Sequence, residues 1–240
     1  MTATSETLDQ LLDLVRQQQA FLEMYVRSWV NDYRLSGGAV FCGKGCRNCC
    51  SLAVHTGFLE ALAVARQLNE AQERAVEAYA IRLQALLRGV SELPEYLRLH
   101  RQEMGFCPLL NDAGACSVYS VRPLSCRALI STRESVWCGL DFARVPPAER
   151  DAFVAGLDRK VVAFPSHYVA PLQESGKELE VACATRMQAL LGCSIYGNLG
   201  VLVHLIRNHG LAEAALQGPA QAADLIAGAG FHHPLLVTLS

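Results

Sequence analysis

The chain is short of charge, of long apolar runs and of strand signals, and each shortage removes a class of answers. Charged residues make up 18% of its 240 residues, with a formal net charge of -2, against roughly 25% charged in an average soluble domain. A strongly basic nucleic-acid surface is disfavoured, and no nucleic-acid partner is expected. No stretch offers about 18 uninterrupted apolar residues. The best, residues 193–206, is short and holds Asn198 and His204, so no membrane span is expected. Residues 1–19 lack the basic region followed by an apolar run that marks a secretory leader, and a cytoplasmic location is the expectation. There is no phosphate loop of Walker type and no strand–glycine–helix dinucleotide fingerprint. What the sequence has is apolar bulk, 51% of residues, enough at this length to bury a core.

Helical spacing dominates the pattern. Leu8, Leu11, Leu12, Val15, Leu22, Tyr25, Val26, Trp29 and Tyr33 recur with polar residues between them, which predicts one long first helix ended by Ser36-Gly37-Gly38. Met24, Tyr25 and Trp29 read as a core-facing stripe on it. Residues 56–88 are rich in strong helix formers and predict two helices with a break near Asn69. Pro94 and Pro147 suit first helical positions, predicting helices over 95–103 and 148–162. Further helices are expected over 178–191 and 199–207, and a helix pair or a loose extension over 210–230. The best strand signal is 107–119, where Asn111-Asp112-Ala113-Gly114 supplies turn chemistry between two short runs. The expected fold is mainly α: one helical domain over residues 1–240, with a small cysteine-bearing hairpin and loops around a metal site. Residues 40–130 form its core and 140–240 a helical C-terminal extension.

Ten cysteines are the informative number. In a cytosolic chain, clustered cysteines bind metal or do redox chemistry more often than they form disulfides. Cys42, Cys46, Cys49 and Cys50 put four thiols into nine residues. Gly43 and Gly45 allow the backbone to bend around an ion and turn amide N–H groups toward sulfur. A second group follows in Cys107, Cys116 and Cys126. The hairpin brings the first two together, and Pro123 starts a helix with Cys126 in its first turn, where the dipole favours a thiolate. Arg122 and Arg127 place positive charge beside these sulfurs and are taken as cofactor-contacting residues, since four thiolates around a metal leave a net negative site. Cys138 reads equally as a ligand, a resolving thiol or a buried bystander. Cys183 and Cys193 lie in apolar helical surroundings and read as core. His55, His204, His209, His232 and His233 read as ordinary histidines.

In this order, Cys42, Cys46, Cys49 and Cys50, then Cys107-Pro108-Leu109, Cys116, Tyr119, Arg122-Pro123 and Cys126-Arg127 resemble the YkgJ-type cysteine-cluster family of zinc- or iron-chelating domains. The resemblance covers roughly residues 40–130. The same cysteine domain is similar to that of flagellin lysine N-methylases. The resemblance implies an iron–sulfur or zinc site and a link to protein lysine methylation. Residues 140–240 carry no matching motif.

Structural zinc usually shows two C-x2-C pairs, and this chain has one, Cys46 to Cys49. Dense, uneven spacing and a cysteine followed by proline suit iron–sulfur ligation better, so a [4Fe–4S] cluster is favoured and Zn²⁺ is the alternative. Cys42, Cys46 and Cys49 also spell the C-x3-C-x2-C motif of radical S-adenosylmethionine enzymes, but the alternating strands and helices of those enzymes are missing. The expected function is a cysteine-cluster metal-binding protein, acting in metal or cluster handling or on a protein partner. The alternative is a protein-modifying enzyme related to the lysine N-methylases, using S-adenosylmethionine on a protein substrate.

Overall fold

A computed structural model describes residues 5–43 and 45–240. The first four residues of the stretch read for a leader, and Lys44 of the cysteine loop, lie outside the described residues. Helix α1 (Ser5–Leu35) buries Leu8, Leu11, Leu12, Val15 and Leu22. It stops where Gly37 turns to a φ of 89°, a conformation open to glycine. The expected stripe is corrected at Met24, which is 63% exposed. Tyr25, Val26 and Trp29 do pack, half-buried, against Val169 and Leu172.

Strand β1 (His55–Gly57) leads into α2 (Phe58–Ala65). The break at Asn69 is a reciprocal cap: the Asn69 side chain accepts from the Gln72 amide while the Gln72 side chain accepts from the Asn69 amide, which starts α3 (Glu70–Leu86). Helix α4 (Leu93–Leu99) carries Pro94 in its first turn and runs on as one wider turn, His100–Met104. Then come the short α5 (Leu124–Ala128) and α6 (Val136–Gly139), and α7 (Pro147–Ala155). The last ends at Gly156, well before the expected 162, because Val162 pairs with Val169 instead. Helix α8 (Ala170–Leu191), strand β2 (Ile195–Asn198), helices α9 (Leu199–His209), α10 (Leu211–Gln217) and α11 (Pro219–Gly228), and strand β3 (Val237–Leu239) complete the described elements.

The mainly helical expectation holds, and the three-stranded sheet was not foreseen. It is antiparallel in the order β1-β2-β3, with Thr56 opposite Gly197 and Tyr196 opposite Thr238. Helix α9 packs on α2 and α3, while α1 and α5 pack on α8. Asn198 stands at this junction. Its carbonyl oxygen accepts from the Val201 amide and caps α9, and its NH₂ group donates to the hydroxyls of Tyr79 and Tyr96 at 3.2 and 3.3 Å. Those hydroxyls also reach His100 and His55. Cys183 and Cys193 are buried in the main core, as expected. No described helix is long and apolar enough to cross a membrane.

Glu60 is the buried group that places α5. Its carboxylate accepts from the Thr56 hydroxyl at 2.7 Å and from the Leu124 amide at 2.6 Å, at the start of that helix. Between α2, α5, α8 and β2 lies a cavity of about 620 Å³, lined by Phe58, Glu60, Ser125, Glu180, Met187 and Tyr196 among others. Burial, then the nearby Glu60 charge, push the Glu180 carboxyl up to about 8. A folded pKa raised above the unfolded value stabilises the fold below the unfolded pKa of about 4.3, and that contribution is lost as pH rises through 8. Glu180→Gln should therefore flatten the fall in melting temperature between pH 5 and 9. Parallel wild-type and variant curves across that range would reject the buried-acid reading.

Candidate metal centre

The first cysteine group sits on a loop held in place from two sides. The Phe41 amide donates to the Ser131 carbonyl and the Ser131 amide donates to Cys42 Sγ, both at 3.1 Å. Cys46 follows a tight turn, its amide bonded to the Gly43 carbonyl with Gly45 at a φ of 85°. A single 3₁₀ turn, Asn48–Ser51, then carries Cys49 and Cys50. Asn48 fixes that turn by donating to the Ser135 carbonyl and hydroxyl at 2.9 and 3.2 Å, just before α6 and its Cys138.

The second group is stitched to the first through the backbone, where the Cys107 amide donates to the Cys50 carbonyl at 2.8 Å. The expected hairpin is present in minimal form, as a bridge between Leu110 and Cys116 around the turn at Asn111. Cys126 lies in the first turn of α5, as the proline predicted.

Burial, together with neighbouring thiols, raises the pKa of five of these cysteines, Cys42, Cys49, Cys107, Cys126 and Cys138. Cys42 is pushed up to about 11 by burial first, with further contributions from Cys138, Cys49 and Cys46. Cys107 is pushed up to about 11 by burial, then by Cys116 and Cys49. Cys126 is raised further, by burial and then by Cys107 and Cys49. Cys49 is raised most by its hydrogen bond with Cys50, then by burial. Cys49 thus interacts with Cys42, Cys50, Cys107, Cys126 and Cys138, thiols from both groups. The expectation that the helix dipole would favour a Cys126 thiolate is corrected here. Five residues make a weak dipole, and desolvation of the buried sulfur overrides it.

The two arginines behave differently. Arg122 opposes the raised pKa of both Cys49 and Cys126. It lies over the Tyr119 ring at 4.1 Å, and its buried Nε has no hydrogen-bond partner. Arg127 instead donates to Glu23 and to the carbonyls of Tyr119, Ser120 and Arg122. Its guanidinium serves the scaffold.

Of two further neighbours, the sequence left Cys138 open and missed His167. Cys138 is buried, with its Sγ 3.3 Å from His167 Nε2, and burial pushes its thiol pKa up. Burial lowers the His167 pKa to about 4, with Arg133 acting in the same direction. A lone histidine between Ser166 and Tyr168 carries no spacing signal that could have singled it out.

Among the described residues, no three His, Cys, Asp or Glu side chains already stand where they would hold a metal ion. The donor chemistry nonetheless fits a thiophilic metal. Crowded, half-buried thiols are hard to ionise beside one another, and a bound cation reverses that by stabilising every thiolate it touches. Amide and guanidinium groups facing sulfur supply the surrounding polarity such sites need. These features define a thiol-rich metal-chelating segment. Residues 41–141 match the family model CxxCxxCC, "Putative zinc- or iron-chelating domain". The cysteine-cluster resemblance is thereby borne out over that segment, which extends past the expected boundary to take in Cys138. Neither a curated protein nor a solved structure matches the chain.

Proposed function

We propose that the eight thiols hold an iron–sulfur core, with Zn²⁺ competing for the same sulfurs, and that the protein stores or hands on this metal at a protein surface. The observation that carries the reading is the 2.8 Å hydrogen bond from the Cys107 amide to the Cys50 carbonyl, which brings the two cysteine groups together. One site, or two adjoining ones, can then draw on ligands more than fifty residues apart in the chain. Iron–sulfur ligation is favoured by eight thiols at uneven spacing with a single C-x2-C pair. In this reading Arg122 offsets the negative charge of the thiolates, and the Ser131 amide directs Cys42.

A protein partner is supported by what surrounds the cysteines. Phe41, Phe106 and Tyr119 are exposed, and the first two adjoin Cys42 and Cys107 directly in the chain. Arg47 lies over Phe106 as Arg122 lies over Tyr119. Exposed aromatics with arginines are the side chains that anchor protein interfaces.

Protein isolated without oxygen should be brown and contain iron and acid-labile sulfide in comparable amounts, because sulfur-to-iron charge transfer absorbs visible light and d¹⁰ Zn²⁺ offers no such band. Colourless anaerobic protein with stoichiometric zinc, and no iron even when iron is supplied during expression, would replace the cluster by zinc.

A further inference from the structure

None of the clustered thiols lines the cavity between α2, α5, α8 and β2. Its volume of about 620 Å³ falls inside the range of about 300–1,000 Å³ typical of small-molecule sites. The inner wall is apolar: Phe58, Met187 and Ile195 are each at most 2% exposed. The mouth is open, with Val181 and Tyr196 exposed at 56% and 43% and Glu174 and Lys177 exposed beside them.

Polar groups on this wall are left with unused hydrogen-bonding capacity. Glu180 Oε1 and Gln173 Nε2 are buried and have no hydrogen-bond partner. Glu60 is 1% exposed and accepts one hydrogen bond at each carboxylate oxygen, from Thr56 and from Leu124, and each oxygen has a second lone pair free. Buried polar atoms without partners cost stability, and two of them on one cavity point to a group that enters from outside. The charged side chains of the lining are Glu60, Glu174 and Glu180 against Lys177, a balance that favours a cation and repels an anion.

We infer that this cavity binds a small primary amine with an apolar body, the ammonium held between Glu180 and Glu60 and the body lying along Phe58, Met187 and Ile195. The inference is independent of what the thiols hold. An ammonium carries three donors and no acceptor. It satisfies Glu180 Oε1, takes a free lone pair of Glu60, and meets the Gln173 amide once that group turns its oxygen inward. A hydroxyl offers one donor, and a carboxylate ligand offers none. Binding also moves a proton. Glu180 is pushed up to about 8 by burial and then by Glu60, so its carboxyl is largely protonated at pH 7. An ammonium needs the carboxylate, and the carboxyl proton leaves to solvent as the amine enters.

Calorimetric titration of the full chain with hexylamine, hexanol and hexanoate tests this, at pH 7 in phosphate and in Tris, whose ionisation heats differ. Hexylamine should bind roughly 10–100-fold more tightly than hexanol, the increment of hydrogen bonds to a charged group. It should release close to one proton, and hexanoate should not bind. Glu180→Gln should abolish the proton release and bring hexylamine to the level of hexanol, with hexanol itself unchanged. Ala184→Phe, which puts a ring on the cavity wall and keeps both buried acids, should exclude hexylamine and hexanol alike. A cooperative melting curve for each variant shows that it is folded before it is titrated. Equal affinity of the wild type for amine and alcohol, or amine binding without proton release and unaltered in Glu180→Gln, would overturn the inference. So would wild-type hexylamine affinity in folded Ala184→Phe, or no binding of hexylamine to the wild type at millimolar concentration.

Discussion

Cys49→Ser should lower the melting temperature of metal-loaded protein by roughly 8–16 °C and abolish most of its metal content. Cys49 stands on the turn whose next residue, Cys50, accepts from the Cys107 amide, so its loss falls where the two cysteine groups meet. A metal present at about a thousand times its dissociation constant stabilises the folded state by about 4 kcal/mol. In a chain of this size each kcal/mol corresponds to about 2–4 °C. The sign should reverse in metal-depleted protein. There the Cys49 thiol is a half-buried group crowded against Cys50, and serine relieves that crowding, so the variant should melt at or slightly above the wild type. Calorimetry on loaded and depleted forms of both proteins checks this. A Cys49→Ser variant with full metal content and an unchanged loaded melting curve would remove Cys49 from the centre.

The second large effect is expected at Arg127. Its side chain is 7% exposed and pairs with Glu23 at 2.9 Å, while its other donors hold the carbonyls of Tyr119, Ser120 and Arg122. These carbonyls belong to the turn that carries the chain from the hairpin into α5. Arg127→Met would leave those carbonyls without their donor and the partly buried Glu23 carboxylate with only the exposed Arg27 beside it. Breaking a buried pair from one side costs about 3–5 kcal/mol; the lower end applies here because Glu23 is a quarter exposed. The melting temperature should fall by roughly 6–12 °C, while metal content measured at low temperature stays at the wild-type level. Arg122→Met should do the opposite, leaving stability nearly unchanged and weakening metal retention, since Arg122 is the cation felt by Cys49 and Cys126. Equal metal loss in the two variants would contradict this division of roles.

The parts of the fold that follow local rules were legible in the sequence. The α1 stripe, the break at Asn69 and the proline-started helices each depend on residues within one or two turns. The sheet was not legible, because β1, β2 and β3 are three or four residues long and β1 lies about 140 positions from β2. Segments that short show no alternation, and their pairing is settled by the packing of α9 on α2 and α3. At the centre, the clustered cysteines announced themselves by density. Cys138 and His167 did not, since each is a single residue placed by tertiary contacts. Reading Arg122 and Arg127 as equivalent was natural from their spacing. The structure separates them by which carbonyls and which sulfurs each one faces, a distinction the sequence does not encode locally.

The hydrogen bond from the Cys107 amide to the Cys50 carbonyl ties together two points 57 positions apart. For a chain of that length, bringing the ends together costs roughly 3–4 kcal/mol in conformational freedom, whereas Cys42 to Cys50 is a local turn. In the proposed metal-holding role, capture therefore has a preferred order in time. The first group can grip the ion as soon as its own loop forms, and the second closes over it only when the excursion through α2, α3 and α4 has folded back. In that role release runs the other way: opening the excursion frees the Cys107 side first and leaves the ion on the short loop, beside exposed Phe41.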